Sequence, residues 1–235
     1  MKFLSFSFIF MLVVLMTSAR DKGVAGVDGW TLVKTENGIQ VFVRKTPGSA
    51  FHEFKGIAVV NSRIEVVGEV LRDVPYYTQW LPDCTQATIL EKSDKNNLVI
   101  YYAQKLPWPA DNRDVVLCAK TMLDYKKGIF TITMETVNNR KCPLKEGYTR
   151  MAEMKGLYLL EYIDREHTRV SYIVKADPGG SLPSSVVNAS SKDIPYNTLS
   201  AIKKIATTKR FVEAASKSED RGKIEEMINK GFLKR

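Results

Sequence analysis

Histidine and cysteine are scarce in this sequence of 235 residues, which has two histidines and three cysteines. His52 and His167 have no partners at metal-ligand spacing, so the sequence predicts no metal site. Cys84, Cys118 and Cys142 form no C-x-x-C pair and lie beside no local signature of a catalytic thiol. Their odd number leaves any disulfide pairing open.

Motifs that carry catalysis or nucleic-acid binding are also missing. The sequence has no G-x-S-x-G elbow, no P-loop and no dinucleotide-binding fingerprint. It has no RNP-like aromatic motif, no zinc-finger spacing and no basic cluster interleaved with aromatics, which argues against nucleic-acid binding. We therefore predict no catalytic residue, no cofactor and no nucleic-acid partner.

Only the N-terminus carries a long apolar run. Lys2 supplies a positive charge, residues 3–16 are apolar apart from two serines, and Thr17-Ser18-Ala19 offers small residues for cleavage. This pattern predicts a signal peptide over residues 1–19 and an exported protein, periplasmic or secreted. The alternative is an uncleaved anchor, although the run is shorter than the ~20 residues of a spanning helix.

The rest of the composition is that of one globular domain with a basic surface. Hydrophobic residues make up 44% and charged residues 26%, and the formal net charge is +9. From Tyr196 onward ten basic residues face five acidic ones, an excess of five positive charges. Such an excess favours anionic partners such as a phospholipid surface. We expect a monomeric domain over residues 20–215, followed by a basic helical tail over residues 216–235.

Alternating apolar and polar residues predict a series of antiparallel strands joined by hairpins. Asn37-Gly38 is the strongest turn signal, because both residues tolerate positive φ. The predicted strands are Trp30–Lys34, Gly38–Lys45, Phe51–Val60, Thr85–Ser93, Leu98–Lys105, Val115–Tyr125, Ile129–Val137, Tyr148–Asp164 and Thr168–Asp177.

Helical periodicity occurs in two places. Ser62-Arg63-Ile64-Glu65 reads as a capping box, with Ser62 as the cap, and opens a helix that Pro75 stops. The aromatic cluster Tyr76, Tyr77, Trp80 and Leu81 follows in a short second helix, where core packing explains it. After Pro183 the spacing predicts one long helix, with Pro195 marking a kink or a later start.

Two separated stretches resemble a known family. The first, Trp108-Pro109-Ala110-Asp111-Asn112-Arg113-Asp114, is similar to a WPxxRD loop but has one extra residue. The second runs from Thr168 through the glycine turn Asp177-Pro178-Gly179-Gly180 to Leu182-Pro183. Together they resemble the StAR-related lipid-transfer (START) family over roughly Asp28 to Ala215.

The resemblance implies an α+β helix-grip fold, in which a curved antiparallel sheet wraps around a long C-terminal helix with a hydrophobic tunnel between them. It implies non-catalytic binding, and possibly transfer, of a lipid or similar hydrophobic ligand. Strand and helix faces then predict the lining, although ordinary core packing explains each residue equally well. The predicted lining residues are Leu98, Ile100, Tyr102, Val115, Leu117, Ala119, Thr121, Val170, Tyr172, Val174, Leu199, Ile202 and Ile205.

The remaining predictions concern the loop and the last helix. Trp108, Arg113 and Asp114 should hold the loop, with Arg113 clamping a carboxylate and Asp114 accepting from loop amides. A basic helical face should meet an anionic membrane transiently, unless it is merely solvated; it consists of Lys203, Lys204, Lys209 and Arg210. Two other functions stay open, namely a cyclase-like enzyme on the same fold, and a membrane-surface or partner-binding module without a ligand.

Overall fold

The structure is a computed structural model that describes residues 27–106, 110–139 and 142–234. Its main feature is one large antiparallel sheet with helices packed against it. The predicted signal segment, and Trp108 in the predicted structural loop, lie outside the described residues.

Ten strands form the sheet, and most of them alternate buried and exposed residues as the sequence predicts. They are β1 Thr31–Glu36, β2 Ile39–Arg44, β3 Glu53–Val60, β4 Cys84–Asp94, β5 Asn97–Gln104, β6 Asn112–Asp124, β7 Ile129–Thr136, β8 Tyr148–Arg150, β9 Glu153–Tyr162 and β10 Thr168–Asp177.

The strand order is β1-β2-β3-β10-β9-β7-β6-β5-β4, and every pairing along this path is antiparallel. The short β8 lies off the path and pairs in parallel with β6. Because β10 pairs with β3, the last strand joins the opening meander to the rest of the sheet. Asn37 and Gly38 both adopt positive φ, which confirms the predicted tight hairpin between β1 and β2.

In the described part of the chain, six helical segments longer than one turn accompany the sheet. They are α1 Ile64–Arg72, a 3-10 helix Val74–Gln79, α2 Ser184–Ser191, α3 Ile194–Ile205, α4 Lys209–Ser216 and α5 Glu219–Asn229. The helical stretch predicted after Pro183 is thus divided into separate helices, and its break falls beside Pro195, where the sequence predicts a kink or a later start. Pro195 lies in the first turn of α3, where its missing N–H costs nothing, and Thr208 adopts an extended conformation between α3 and α4.

Helix α3 lies directly on the sheet at Gly56 of β3. A Cβ at Gly56 would lie 2.7 Å from Leu199 Cδ1 and 2.8 Å from Pro195 Cβ, so only glycine allows this close approach. Leu199 and Ile202 are fully buried in this contact layer. The sheet and α3 thus form the α+β arrangement that the resemblance implies.

Two local predictions need correction. Ser62 does not cap α1, because Arg63 occupies the N-cap position and the Ser62 hydroxyl donates to the carbonyl oxygen of Ala206 instead, at 2.9 Å. The predicted strand Tyr148–Asp164 is two strands, β8 and β9, and at the break the backbone amides of Met151 and Ala152 donate to the backbone carbonyl oxygens of Asp114 and Asp177.

The C-terminal segment packs on the core through α5. Ile224 and Ile228 are buried, as is the carboxylate of Asp220. Glu225 accepts hydrogen bonds from Arg63 and from Arg165, each at 2.7 Å, which joins α5 to the start of α1 and to the turn before β10. Residues 219–229 are therefore an integral part of the folded body.

The described residues contain no cluster of three or more possible metal ligands. Cys84, Cys118 and Cys142 are free thiols. Within the same residues, no helix has the length and apolar character needed to cross a bilayer.

Candidate functional site

An internal cavity of about 120 Å³, here called the main cavity, lies between the sheet, α3 and the loop after the 3-10 helix. Its wall is mostly apolar and aromatic. The lining residues are Tyr77, Trp80, Leu81, Pro82, Asp83, Ile100, Tyr102, Gln104, Leu117, Met134, Met151, Met154, Tyr158, Tyr172, Val174, Ala176, Ile194, Asn197 and Thr198.

A second, smaller space of about 10 Å³, the inner cavity, adjoins the first. The two cavities share four wall residues, so these side chains separate them; they are Tyr77, Ile100, Met134 and Tyr158. The other inner-cavity residues are Leu71, Arg72, Val74, Leu98, Ala119, Thr121 and Ile132. A water-sized space of this kind accepts one small group at most.

At the other end, a surface groove along α3, the mouth groove, continues from the main cavity. The groove and the cavity share Trp80, Pro82 and Asn197. Lys204 and Ile205 of α3 also line the groove. Trp80 and α3 therefore lie where the main cavity meets the surface.

Four tyrosines place uncharged hydroxyl groups in the wall of the main cavity. The Tyr77 hydroxyl donates to the Leu71 carbonyl oxygen at 2.5 Å, and the Tyr102 hydroxyl donates to Gln104 Oε1 at 3.0 Å. The rings of Tyr158 and Tyr172 stack with centroids 4.2 Å apart. Burial raises the pKa of all four phenols, that of Tyr172 to about 12, so they stay protonated at neutral pH.

Charged groups are almost absent from this wall. Asp83 is the one carboxylate among the described residues that line the main cavity, and histidine, lysine and arginine do not appear there. The Nε1 of Trp80 is buried without a hydrogen-bond partner in the described residues. The arrangement suits a hydrophobic guest with few polar groups.

The structure divides the thirteen predicted lining residues between four settings. Ile100, Tyr102, Leu117, Tyr172 and Val174 line the main cavity, and Ile100 also lines the inner cavity with Leu98, Ala119 and Thr121. Val115, Val170, Leu199 and Ile202 are buried in the close-packed core, outside the walls of both cavities, and Ile205 lines the mouth groove. Alternation identified the inward-facing residues of each strand, but it did not show which of them border a cavity and which are packed in the core.

Sequence reasoning missed several wall residues. Tyr77 and Trp80 were assigned to core packing, and the missed sheet residues include Met134, Met154 and Tyr158. Alternation along β7 and β9 was a usable signal, because Phe130, Ile132 and Met134 share a face, as do Gly156, Tyr158 and Leu160.

The predicted structural residues Arg113 and Asp114 belong to β6 and have other partners than expected. Among the described residues Arg113 binds no carboxylate; it donates to the carbonyl oxygens of Pro178 at 2.7 Å and Asp111 at 2.6 Å. Asp114 accepts from Arg150, at 2.7 Å and 3.1 Å, and from the Tyr101 hydroxyl rather than from loop amides. Both side chains are buried.

The four basic residues predicted to form one face are divided between α3 and α4. Lys203 donates to the carbonyl oxygen of Asn37 at 3.0 Å, whereas Arg210 pairs with Asp73 at 2.7 Å and lies 4.2 Å from the Tyr76 ring centre. Lys204 lines the mouth groove, and Lys209 is 86% exposed beside Glu213. One continuous basic helical face is therefore not present, because α3 and α4 are separate helices.

A family model described as the START domain matches residues 15–213, most of the chain. The chain belongs to the START domain family. The match ends within α4, so helix α5 lies beyond the part of this START protein that the family model covers.

Relatives and solved structures agree with this assignment. A START protein from Xanthomonas axonopodis, the "STAR-related lipid transfer protein (fragment 25-204)", is 33% identical with a TM-score of 0.71, over 77% of this chain and 100% of that one. The phosphatidylcholine transfer protein of Rattus norvegicus is 26% identical over 72% of this chain and 79% of its own length. An uncharacterised protein of Pseudomonas aeruginosa is 28% identical over 78% of this chain and 91% of its own length.

The structure of human STARD10 shares the fold, with a TM-score of 0.72 at 23% identity over 79% of this chain and 76% of that one. The large antiparallel sheet with C-terminal helices is thus the helix-grip fold of START proteins, and that prediction is confirmed. The sheet of this START protein is open, with β1 and β4 at its two ends.

Proposed function

We propose that this protein binds one hydrophobic molecule of the lipid class in the main cavity, without converting it chemically. The observation that carries the proposal is the internal, mostly apolar cavity between sheet and α3. Burying a hydrocarbon chain in such a space contributes roughly 0.8 kcal/mol per CH₂. The family assignment and the names of the relatives, which include a phosphatidylcholine transfer protein, support the same class of ligand.

Binding a whole lipid requires the cavity to widen. At about 120 Å³ the main cavity is smaller than the roughly 300–1,000 Å³ of typical small-molecule sites. Three methionines line it, Met134, Met151 and Met154, and methionine adapts its shape more easily than other apolar residues. We infer that these side chains move outward when the ligand enters.

Exchange of the ligand with a membrane is the second part of the proposal. The mouth groove leads from the main cavity to the surface along α3, beside Trp80 and Lys204. A lysine and an indole at such an opening suit the boundary between lipid head groups and acyl chains. We propose that this end meets an anionic bilayer, and that the protein acts outside the cytoplasm after export.

A cyclase-like enzyme is the competing function. General acid–base catalysis in a cavity needs at least one group that titrates near the working pH, placed against the substrate. The main cavity offers one carboxylate, Asp83, and phenols whose pKa is raised by burial. His52 and His167 do not line it. The main cavity also favours a ligand-binding protein over a membrane-surface or partner-binding module with a filled core.

Native mass spectrometry of the purified protein tests the proposal. We expect one bound species of lipid mass per chain, released by denaturing solvent and recovered unchanged after incubation with the protein. A chain that stays free of ligand after exposure to mixed lipid extract would contradict the binding proposal. A recovered ligand of altered mass would favour the enzyme instead.

A further inference from the structure

A surface pocket of about 520 Å³, here called the side pocket, lies between the end of α1, the β4–β5 hairpin and α4. The buried Leu98 and Phe211 line it beside the exposed Lys92 and Lys95. Among the described residues it has no wall residue in common with the mouth groove. The side pocket is therefore a separate opening of the surface, with buried apolar side chains in its wall.

In the described part of the chain, two residues stand between the side pocket and the internal cavities. Arg72 and Leu98 belong to the walls of both the side pocket and the inner cavity. The inner cavity in turn shares wall residues with the main cavity, and the main cavity shares others with the mouth groove. The internal space thus approaches the protein surface at two places, the mouth groove and the side pocket.

The separation at the side pocket depends on side chains that can change rotamer. Arg72 is the last residue of α1, and its side chain is 11% exposed. Within the described residues its hydrogen bonds, to Glu69 at 2.8 Å and to Asp220 at 2.6 Å, both start from Nη2, and Nη1 is buried without a partner. An arginine held through one nitrogen can swing away without backbone movement, because its long side chain has many rotamers.

Helix α5 fixes the position of Arg72. Asp220 is buried, and it also accepts hydrogen bonds from the Tyr125 hydroxyl at 2.7 Å and from Lys95 at 3.4 Å. These contacts fix the carboxylate against two turns of the sheet, and the carboxylate in turn holds the guanidinium. The matched family region ends at residue 213, so Asp220 lies outside that region.

We propose that Arg72 and Leu98 form a gate between the inner cavity and the side pocket, and that Asp220 holds this gate closed. When the gate opens, the inner cavity and the side pocket become one space, and a single hydrocarbon chain passes Leu98 and Phe211. Lipid then exchanges by two routes, the mouth groove and the side pocket. The inference rests on the proposed function and extends it, because it assigns a second entrance to the same ligand site.

Two entrances predict that the rates of exchange through them add. A block at one entrance removes only the exchange by that route, and blocks at both entrances remove nearly all of it. With a single entrance at the mouth groove, a block at the side pocket has no effect.

Isotope-labelled lipid measures the exchange of whichever lipid the protein binds. The protein is loaded from vesicles of isotope-labelled total lipid extract of its native host and is then mixed with an excess of unlabelled vesicles of the same extract. Native mass spectrometry follows the replacement of labelled by unlabelled ligand with time.

Tryptophan substitutions at the two openings block one route each. Ala214→Trp, on the exposed face of α4, fills the side pocket, and Ala201→Trp fills the mouth groove. We expect each variant to lower the exchange rate by about twofold or more, and the two together by about tenfold or more. Val212→Trp is the control, because Val212 is also exposed on α4 but lines neither opening. Equal exchange rates of Ala214→Trp and Val212→Trp would refute the gate.

Asp220→Asn and Leu98→Ala test the gate itself. Asparagine keeps the volume of Asp220 but removes the charge that strengthens its hold on Arg72, and alanine removes most of the Leu98 side chain from the gate. Each variant should speed exchange about fivefold, and this gain should disappear when Ala214→Trp is added. The two variants act on different parts of the gate, so poor folding of one leaves the other as a test.

Two results of these variants would overturn the proposal. Exchange rates equal to wild type in both would show that Arg72 and Leu98 do not control a route. A gain that persists beside Ala214→Trp would show that the variants loosen the protein elsewhere.

The outcomes also separate the gate from the proposed function. A wild-type chain that takes up no labelled lipid would contradict the proposed function itself. If labelled lipid binds, but Ala201→Trp alone slows its exchange as much as the double variant, lipid binding stands and the mouth groove is the one route.

Discussion

Nε of Arg113 lies 2.7 Å from the carbonyl oxygen of Pro178, 65 residues further along the chain. This contact joins the two stretches that carry the family resemblance, the Arg-Asp pair at the start of β6 and the glycine turn after β10. A second contact, from Nη2 of Arg113 to the Gly179 carbonyl oxygen at 3.4 Å, extends it. The turn that leads into the C-terminal helices is thus held from within the sheet.

Arg113→Ala should lower the free energy of unfolding by about 2–3 kcal/mol, because buried carbonyl oxygens lose a charged donor. Urea unfolding followed by tryptophan fluorescence measures this change. Arg169, which is half exposed, provides the control, since Arg169→Ala should change stability by less than about 0.5 kcal/mol. Ligand affinity of the folded Arg113 variant should match wild type; a variant of native stability that no longer binds would show that Arg113 serves the ligand directly.

Ala176→Trp should fill the main cavity and abolish lipid binding while the protein still folds. Ala176 lies on the cavity wall near the end of β10 and is only half-buried, so the indole can occupy the open volume. Bound lipid per chain and melting temperature should be measured on the same sample. Ala152→Leu, on the exposed surface, is the matched control and should leave both quantities unchanged.

Ala119→Trp, unlike Ala176→Trp, should destabilise the folded protein. Ala119 is 9% exposed and borders the small inner cavity, so Ala119→Trp overpacks the core and should cost about 1–3 kcal/mol or more. A stable Ala119→Trp protein would mean that the inner cavity opens much wider than its present volume.

The sheet was predictable because strand side chains alternate between two faces, and a one-residue error would place every apolar residue in water. Val115 and Leu117 share the inward face of β6 as predicted, yet only Leu117 lines a cavity. Their depth depends on which residues lie opposite, from α3 and the 3-10 helix. Alternation along a strand shows which side chains point inward, but it does not show whether a cavity or another side chain lies opposite them.

Local signals also failed where a tertiary contact replaced them. Ser62 has the sequence context of a helix cap, but its hydroxyl finds the carbonyl oxygen of Ala206 at the end of α3. Likewise, the helical spacing of apolar residues after Pro183 continues past Thr208, but the extended backbone of Thr208 separates α3 from α4, and Thr208 is the N-cap of α4. The first outcome depends on a residue that is distant in sequence, and the second depends on the backbone conformation of one residue.

Glu225 should make stability depend on pH in the acid range. Hydrogen bonds from Arg165 and then Arg63 lower the pKa of its carboxyl to about 2, whereas an unfolded glutamate titrates near ~4.3. A lowered folded pKa stabilises the protein above the unfolded value, and that stabilisation is lost as the pH falls from about 4.3 to about 2.

Glu225→Gln should therefore reduce the free energy of unfolding by about 1 kcal/mol at pH 7 and by almost nothing at pH 2. Urea titrations at pH 7, 4.5, 3 and 2 give the profile. Glu166→Gln, on the exposed turn before β10, is the control and should leave the profile unchanged. A Glu225→Gln profile parallel to wild type across the whole range would contradict the role assigned to this carboxylate.

We expect the mature protein to begin near residue 20. Intact mass measurement of the protein recovered from its native host should show loss of roughly the first 19 residues, as a signal peptide of this composition implies. Expression of a version in which Leu12 and Val13 are replaced by Arg should retain the full-length chain inside the cell. Recovery of intact Met1 in the soluble fraction of wild-type cells would rule out export.

Docking at the mouth groove should depend on Lys204 and on the neighbouring Lys209 more than on the net charge of the protein. Lys204 lines the groove, and Lys209 is exposed at the start of α4. Arg210 is already paired with Asp73. Basic residues near an anionic surface contribute about 1 kcal/mol each, screened within a Debye length. Lys204→Gln with Lys209→Gln should therefore weaken co-sedimentation with phosphatidylserine-containing vesicles roughly tenfold or more at low salt.

The matched control is Lys120→Gln with Lys155→Gln, which removes the same charge from exposed positions on the sheet. Its binding should stay within about twofold of wild type, because charges away from the contact act only over a screened distance. Transfer of a fluorescent lipid between vesicles should slow only in the groove variant, while affinity for the lipid in solution stays unchanged. Equal losses in the two double variants would show that general electrostatic attraction, and not docking at the mouth groove, brings this protein to the membrane.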